Sequence, residues 1–488
     1  MILSCFSGMS FAQGSAQPCF ENVILNVGSD ETQRNITWYS DTYGSGEVRY
    51  AEKSGEEFPC EYKTGKAIAI KAMDGRWIYK ASMALLKENT EYIYCLAVSD
   101  NVSDCYSFNT KSFGESFSFG YITDPQLNTL AESGVNWGNT LEKITNEFPG
   151  ISLFVSGGDQ TSDPTKEAGF NNFIADTFKS FPVSTSIGPS HDTAQLYKEH
   201  YNLPNLSTKY GITDSSSDYF YTYNNCLFMH INAESSDFDG HIEFMKNAIL
   251  SNSDCVWRIV VIHYSFLSGG HHAEDSGVKN ARAALAGEMN ELGVDVVLSG
   301  HDHSYARSYM MLDGDTIAED VVENNSVTNP TGTMYICGTS ASGLGFYNAV
   351  DSKDDKYIAC KRTDKRNGFV KFDITETSLS MNSYFLDGEV SEKFDSFTGD
   401  NIFGVVFVGK VACLLPSDLN SLVLGAMNLP FGQYFFASNV GLFIISILWT
   451  LFGATGDFTN IYSYIYLLPI VFITLGGVLY LSKSASKK

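Results

Sequence analysis

Five apolar runs in the middle of the chain each end, within a few residues, on a carboxylate or an imidazole. They are residues 117–123 before Asp124, 151–155 before Asp159, 182–187 before His191 and Asp192, 258–262 before His263, and 294–298 before Gly300-His301-Asp302-His303. Apolar runs of roughly four to eight residues, bounded by turn residues, read as buried strands. Helical stretches at 130–148, 170–181, 241–250 and 278–292 alternate with them, so the region is an α/β domain. In such a domain the loops past the carboxyl ends of the strands form the ligand crevice. A lone Asp after a strand is usually a turn or cap residue, and a lone His is usually a core residue. An ordered set of five outweighs those readings and predicts a metal site.

Mixed carboxylate and imidazole donors suit iron, zinc or manganese. His301 and His303 lie two apart on an extended segment, so both rings can face one side. Asp159 is the natural candidate to bridge two ions. Two ions about 3.5–4 Å apart can activate a water and clamp a transferring phosphoryl group. The formal net charge of -24 argues against a nucleic acid partner. Metal ions would supply the positive charge that an anionic substrate needs.

The ordered motifs resemble those of the calcineurin-like metallophosphoesterases: D-x-H or a variant, G-D-x-x, G-N-H-D/E, a lone His after a strand, and G-H-x-H. The segment 260–311 is similar to the purple acid phosphatase-like branch, through Val-Ile-His-Tyr-Ser, Ser-Gly-Gly-His-His and Leu-Ser-Gly-His-Asp-His-Ser-Tyr-Ala-Arg. Residues 35–111 resemble the fibronectin-like sandwich of that branch, and the likeness runs over roughly 20–387. It implies two divalent or trivalent metal ions (Fe, Zn or Mn). Asp124, Asp159 and His303 would hold the first; Asp159, His263 and His301 would hold the second. His191 would protonate the leaving oxygen, with Asp192 orienting it. The implied substrate is a phosphorylated small molecule or a phosphoprotein.

Three positions depart from the family pattern. Gln126 stands where D-x-H relatives carry a His, and Ser162 where purple phosphatases carry an iron-binding Tyr. Ser190 replaces the metal-binding Asn, with Pro189 inserted before it. A hydroxyl is a poor ligand, so the second site is expected to be weak or empty. The rival reading is an inactive phosphatase-fold protein with a structural, adhesion or assembly role.

The expected organisation has a signal peptide at 1–17, a fibronectin-III-like β-sandwich at 20–112, the metallophosphoesterase domain at 115–395, and a hydrophobic region at 400–488. Residues 461–481 carry no charge and precede Lys483, Lys487 and Lys488, as a transmembrane helix with a cytoplasmic end does. Residues 434–453 form a second uncharged stretch, either a span or an interfacial helix. Small-residue and aromatic packing in this tail could also mediate oligomers. Cys95/Cys105, Cys226/Cys255 and Cys337/Cys360 suggest disulfides, and sequons stand at Asn35, Asn101, Asn205 and Asn324. These features place the ectodomain outside the cell or in a secretory or lysosomal lumen. His271 and His272 are read as either substrate contacts or a solvated loop, and the basic run 361–366 as a solvated face.

Overall fold

The computed structural model describes residues 20–398, apart from 115, 194, 321, 323, 324, 349, 387 and 388. The expected signal peptide, the stretches 434–453 and 461–481, and the sequon at Asn324 lie outside the described residues. Among the described residues, no helix is long and apolar enough to cross a membrane.

The first part is the expected β-sandwich. Glu21–Val27, Arg34–Ser40, Trp77–Met83 and Ile68–Lys71 make one sheet; Lys63–Lys66, Gly46–Glu52, Glu91–Val98 and Asn101–Asn109 make the other. Alternation sends one side of each strand inward: Val48 and Tyr50 are buried, while Glu47 and Arg49 are partly exposed. Trp38 and Tyr79 are fully buried and stack with ring centroids 5.3 Å apart. A disulfide joins Cys95 to Cys105 across paired strands.

The other two expected disulfides are absent, and Cys226, Cys255, Cys337 and Cys360 are free thiols. Strands Thr333–Cys337 and Ile358–Arg362 flank Tyr305–Met311 on opposite sides. Cys337 and Cys360 are thus two strand spacings of about 4.8 Å apart, beyond disulfide reach. The sequon at Asn35 is also corrected. Asn35 is buried, accepts a hydrogen bond from Ser82 Oγ at 2.6 Å and donates one to Asn202 O at 3.0 Å, so the folded chain cannot be glycosylated there.

The second part is built on two facing sheets. Phe117–Ile122, Ile151–Ser156 and Val183–Thr185 run parallel in the first. This sheet continues on one side through Gly368–Ile374, Ser378–Phe385, Val390–Thr398 and Ser326–Thr328. On the other side it meets the sandwich, where Asn26 pairs with Val183. The second sheet runs Tyr219–Tyr223, Cys226–Ile231, Trp257–Ile262, Val296–Ser299, Thr333–Cys337, Tyr305–Met311, Ile358–Arg362. Cys226 and Phe228 point into the core between the sheets with Phe119 and Phe154. Leu227, Met229 and Ile231 point the other way, onto Phe244, Leu285 and Met289. Strands covered on both faces are apolar throughout, which is why the sequence shows them as unbroken runs.

The helices lie close to where the sequence puts them. Ala131–Glu147 buries Ser133, Trp137, Leu141 and Ile144 on one stripe. Phe238–Ser251 and Ser276–Glu291 cover the second sheet. The stretch expected as one helix at 170–181 instead holds Glu167–Phe173 and a separate 3-10 turn, Asp176–Lys179.

The seam between the two parts is polar and buried. Asn26 Nδ2 donates to Val183 O at 3.0 Å, and its Oδ1 accepts from Asn202 N at 2.9 Å. Asn26→Ala strands a buried carbonyl and a buried amide, each costing about 1–3 kcal/mol. The expected result is a loss of about 2–4 kcal/mol in urea unfolding.

Candidate metal centre

The five strand ends meet at one rim, three from the first sheet and two from the second. Asp124, Gln126, Asp159, His301 and His303 there have φ values of 50, 42, 54, 73 and 49°. This left-handed backbone costs a non-glycine residue about 1–3 kcal/mol. Local hydrogen bonds hold it in place. The Asp192 carboxylate accepts from the backbone N–H of Asp159 (2.6 Å), Gly188 (2.8 Å) and Gln160 (3.0 Å). Asp124 accepts from His301 N at 3.0 Å and from Thr123 Oγ1 at 2.8 Å. The chain segments approach so closely that Gly188 is required: a Cβ there would lie 1.7 Å from Asp159 Oδ1.

Four of the expected ligands come together. His303 Nε2 is 3.3 Å from Asp124 Oδ1, and His263 Nε2 is 3.3 Å from Asp159 Oδ1 and 3.8 Å from Asp124 Oδ1. The opposite ring nitrogens face backbone carbonyls: His263 Nδ1 to Gly157 O at 3.0 Å, His303 Nδ1 to Gly345 O at 2.9 Å. A carbonyl only accepts, so Nδ1 carries a hydrogen and Nε2 is the atom presented to the carboxylates.

The fit to a metal ion is tested by what these atoms lack. Asp159 Oδ1, His263 Nε2 and His303 Nε2 are buried without a hydrogen-bond partner. Asp124, Asp159 and His263 each offer a ligand atom within 4.8 Å of the others. Buried polar atoms are normally satisfied, and convergent oxygen and nitrogen donors fit a first-row cation.

The charges are tightly coupled. Burial pushes Asp124 and Asp159 up, but His303 beside the first and His263 beside the second outweigh it and hold both below the usual carboxylate range. Burial pushes His263 down, but Asp159 and Asp124 outweigh it and raise it to about 10. His301 moves the other way, to about 4, through burial and the neighbouring His263 and His272.

The remaining expected residues divide. His301 does not join Asp159. Its ring stacks on His272 with centroids 4.2 Å apart, and its Nε2 is 3.7 Å from Asp275 Oδ2. Ser190 and Ser162 are exposed. Gln126 Nε2 donates to Asp159 Oδ2 at 2.9 Å, so it steadies the carboxylate. His191 Nε2 stands 3.9 Å from Asp159 Oδ2. Asp192 does not orient it. His191 Nδ1 bonds Ser162 O at 3.0 Å, while the Asp192 carboxylate binds the three loop amides.

Three contributors escaped the sequence reading. Asp302 accepts from Ser265 Oγ at 2.9 Å and His272 N at 2.6 Å, and so ties down the loop carrying His271 and His272. Its place between two ligand histidines was the only signal. Asp275 follows His272 at a spacing of three, which was visible but unused. Tyr347 lies against His303 with centroids 4.7 Å apart, and nothing in its local sequence marks it.

The raised His263 gives a pH test. An imidazole ordinarily titrates near 6.5. Its folded value is higher, so its stabilisation is fully present below about 6.5 and is lost as pH rises through about 10. The melting temperature of metal-free protein should fall between pH 7 and 10, and His263→Gln should flatten that fall.

Comparison with known proteins agrees with the fold. Residues 20–110 match the family model "Purple acid Phosphatase, N-terminal domain", and 118–305 match "Calcineurin-like phosphoesterase". No curated protein sequence matches the chain. Among solved structures, purple acid phosphatase PPD1 from yellow lupin (Lupinus luteus) seeds is similar at 18% identity and a TM-score of 0.64, covering 79% of this chain and 75% of that one. PhoD is similar at 12% identity and a TM-score of 0.51, covering 78% of this chain and 92% of that one. At these identities the likeness is one of fold. The two family matches fall on the two parts described above, and the chain resembles the calcineurin-like metallophosphoesterases and their purple acid phosphatase-like branch.

Proposed function

We propose that the chain is a metal-dependent hydrolase of phosphate monoesters carried by small molecules or proteins. The observation that carries this reading is the convergence of buried, unpartnered Asp159 Oδ1, His263 Nε2 and His303 Nε2 around Asp124. An ion bound there supplies Lewis acidity and an activated water. Asp124, Asp159, His263 and His303 would hold it, and Gln126 fixes the second oxygen of Asp159. His191 stands half-exposed at the mouth, where its Nε2 can give a proton to the leaving oxygen. Arg362, Lys365 and Arg366 line a hollow beside His303 and Tyr347, so the basic run borders the site in a chain of net charge -24.

The reading commits to one tightly held ion. A second ion in the family arrangement needs His301 and the residue at 190. His301 faces Asp275, and Ser190 is exposed. The same two facts favour the second reading, an inactive phosphatase fold with an assembly or adhesion role. We further propose that a C-terminal helix at 461–481 tethers the domain to the outer or lumenal face of a membrane. Its support is the uncharged run followed by lysines, together with the Cys95–Cys105 disulfide, which favours an oxidising compartment.

The test is metal analysis of chain purified without chelators, with p-nitrophenyl phosphate turnover followed across pH and added metals. At least one ion per chain is expected. Asp159→Asn and His263→Ala should each lower kcat/KM by about 100-fold or more. Bound metal without turnover selects the inactive reading, and less than one ion with no His263-dependent turnover rejects the hydrolase. For the tether, the full chain should stay with membranes through a carbonate wash, and deletion of 461–481 should release it.

A further inference from the structure

Beside the centre lies a second group of donors that the phosphoesterase reading does not use. We propose that His272, Asp275 and His301 bind an exchangeable divalent cation of the zinc class, at a site separate from Asp124, Asp159 and His263. Each of the three offers a ligand atom within 4.8 Å of the others. His272 Nδ1 and His301 Nε2 lie 2.8 and 3.7 Å from the same oxygen, Asp275 Oδ2. Two imidazoles and one carboxylate, with the remaining positions open to water, form a donor set that zinc and its first-row neighbours accept.

Two features separate this group from an ordinary surface contact. Asp275 holds the N-cap position of helix Ser276–Glu291 yet makes no side-chain cap hydrogen bond. A capping aspartate ordinarily stabilises its helix, a bond this carboxylate forgoes while it faces the two imidazoles. The loop is also fixed in place, because the buried Asp302 carboxylate accepts from His272 N at 2.6 Å. The site is asymmetric in access. His301 is mostly buried, while the Asp275 side chain is 52% exposed, so an ion can enter and leave from the solvent side.

The absence of a ligand at Ser190 gives this site its meaning. Among the expected ligands, His301 groups with His272 and Asp275 and not with Asp124, Asp159 and His263. The second cation would therefore sit outward of the shared carboxylate, where it does not depend on Asp159. The site stands independently of whether the chain hydrolyses phosphoesters.

The experiment uses the full chain and zinc alone. Metal-free protein is titrated calorimetrically, and crystals grown with two equivalents of zinc are measured at the zinc edge. Two ions per chain are expected, with one anomalous peak bounded by His272, Asp275 and His301 and another at Asp159 and His263. Asp275→Asn and His272→Gln should each weaken the outer site by about 100-fold or more and leave the inner stoichiometry at one. His263→Ala should do the reverse, so loss of either site is read separately. A second peak between Asp159 and His301, or full stoichiometry and affinity in Asp275→Asn, overturns the proposal. The anomalous map of the unaltered chain decides the matter even where a variant misfolds.

Discussion

Asp124 and Asp159 are buried carboxylates at the joined rims of two sheets, and the rest of the site follows from what makes their burial tolerable. A buried charge is stable only when it is paired and hydrogen-bonded. Here His263 and His303 supply the pairing, and the His301 amide, Thr123 Oγ1 and Gln126 Nε2 supply the hydrogen bonds. In the metal-free chain, protons on the imidazoles balance the carboxylates. A cation replaces those protons with the same donors, which is how one arrangement serves both folding and binding.

This requirement explains the costly backbone around it. Five residues at the rim adopt left-handed φ values because they must turn sharply at strand ends to aim their side chains inward. Asp192 secures the Gly188 and Asp159 turns with one carboxylate. Asp302 does the same for the His271-His272 loop. Both residues lie next to motif histidines and act by fixing loops, so adjacency in a motif does not imply contact with the reacting atoms. The asparagine seam at Asn26 and Asn202 joins the sandwich to the sheet that carries Asp124 and Asp159.

Much of this was legible in the sequence. The five apolar runs gave the strand ends because strands covered on both faces show no alternation to mistake for a helix. The hairpin from Tyr219–Tyr223 to Cys226–Ile231 is also legible, since Asn224 and Asn225 form its two-residue turn. Other features depended on tertiary context. The sequon at Asn35 is sound as a pattern, yet the seam buries it. The Cys337–Cys360 pairing failed because Tyr305–Met311 inserts between their strands. The neighbours of His301 were hidden because Asp275 reaches the site from the start of a helix and His272 from a loop. Ser190 is exposed, and His301 Nε2 stands 3.7 Å from Asp275 Oδ2.

The central claim is that Asp124, Asp159, His263 and His303 form a metal centre of imidazole and carboxylate donors. X-ray absorption at the zinc edge tests it most directly, on Asp275→Asn protein carrying one equivalent of zinc. The account predicts a first shell of two imidazole nitrogens and carboxylate oxygens at about 2.0–2.2 Å, with the imidazole signal halved in His263→Ala. A sulfur shell at about 2.3 Å, pointing to the nearby Cys337 thiol, or an oxygen shell with no imidazole, would contradict it.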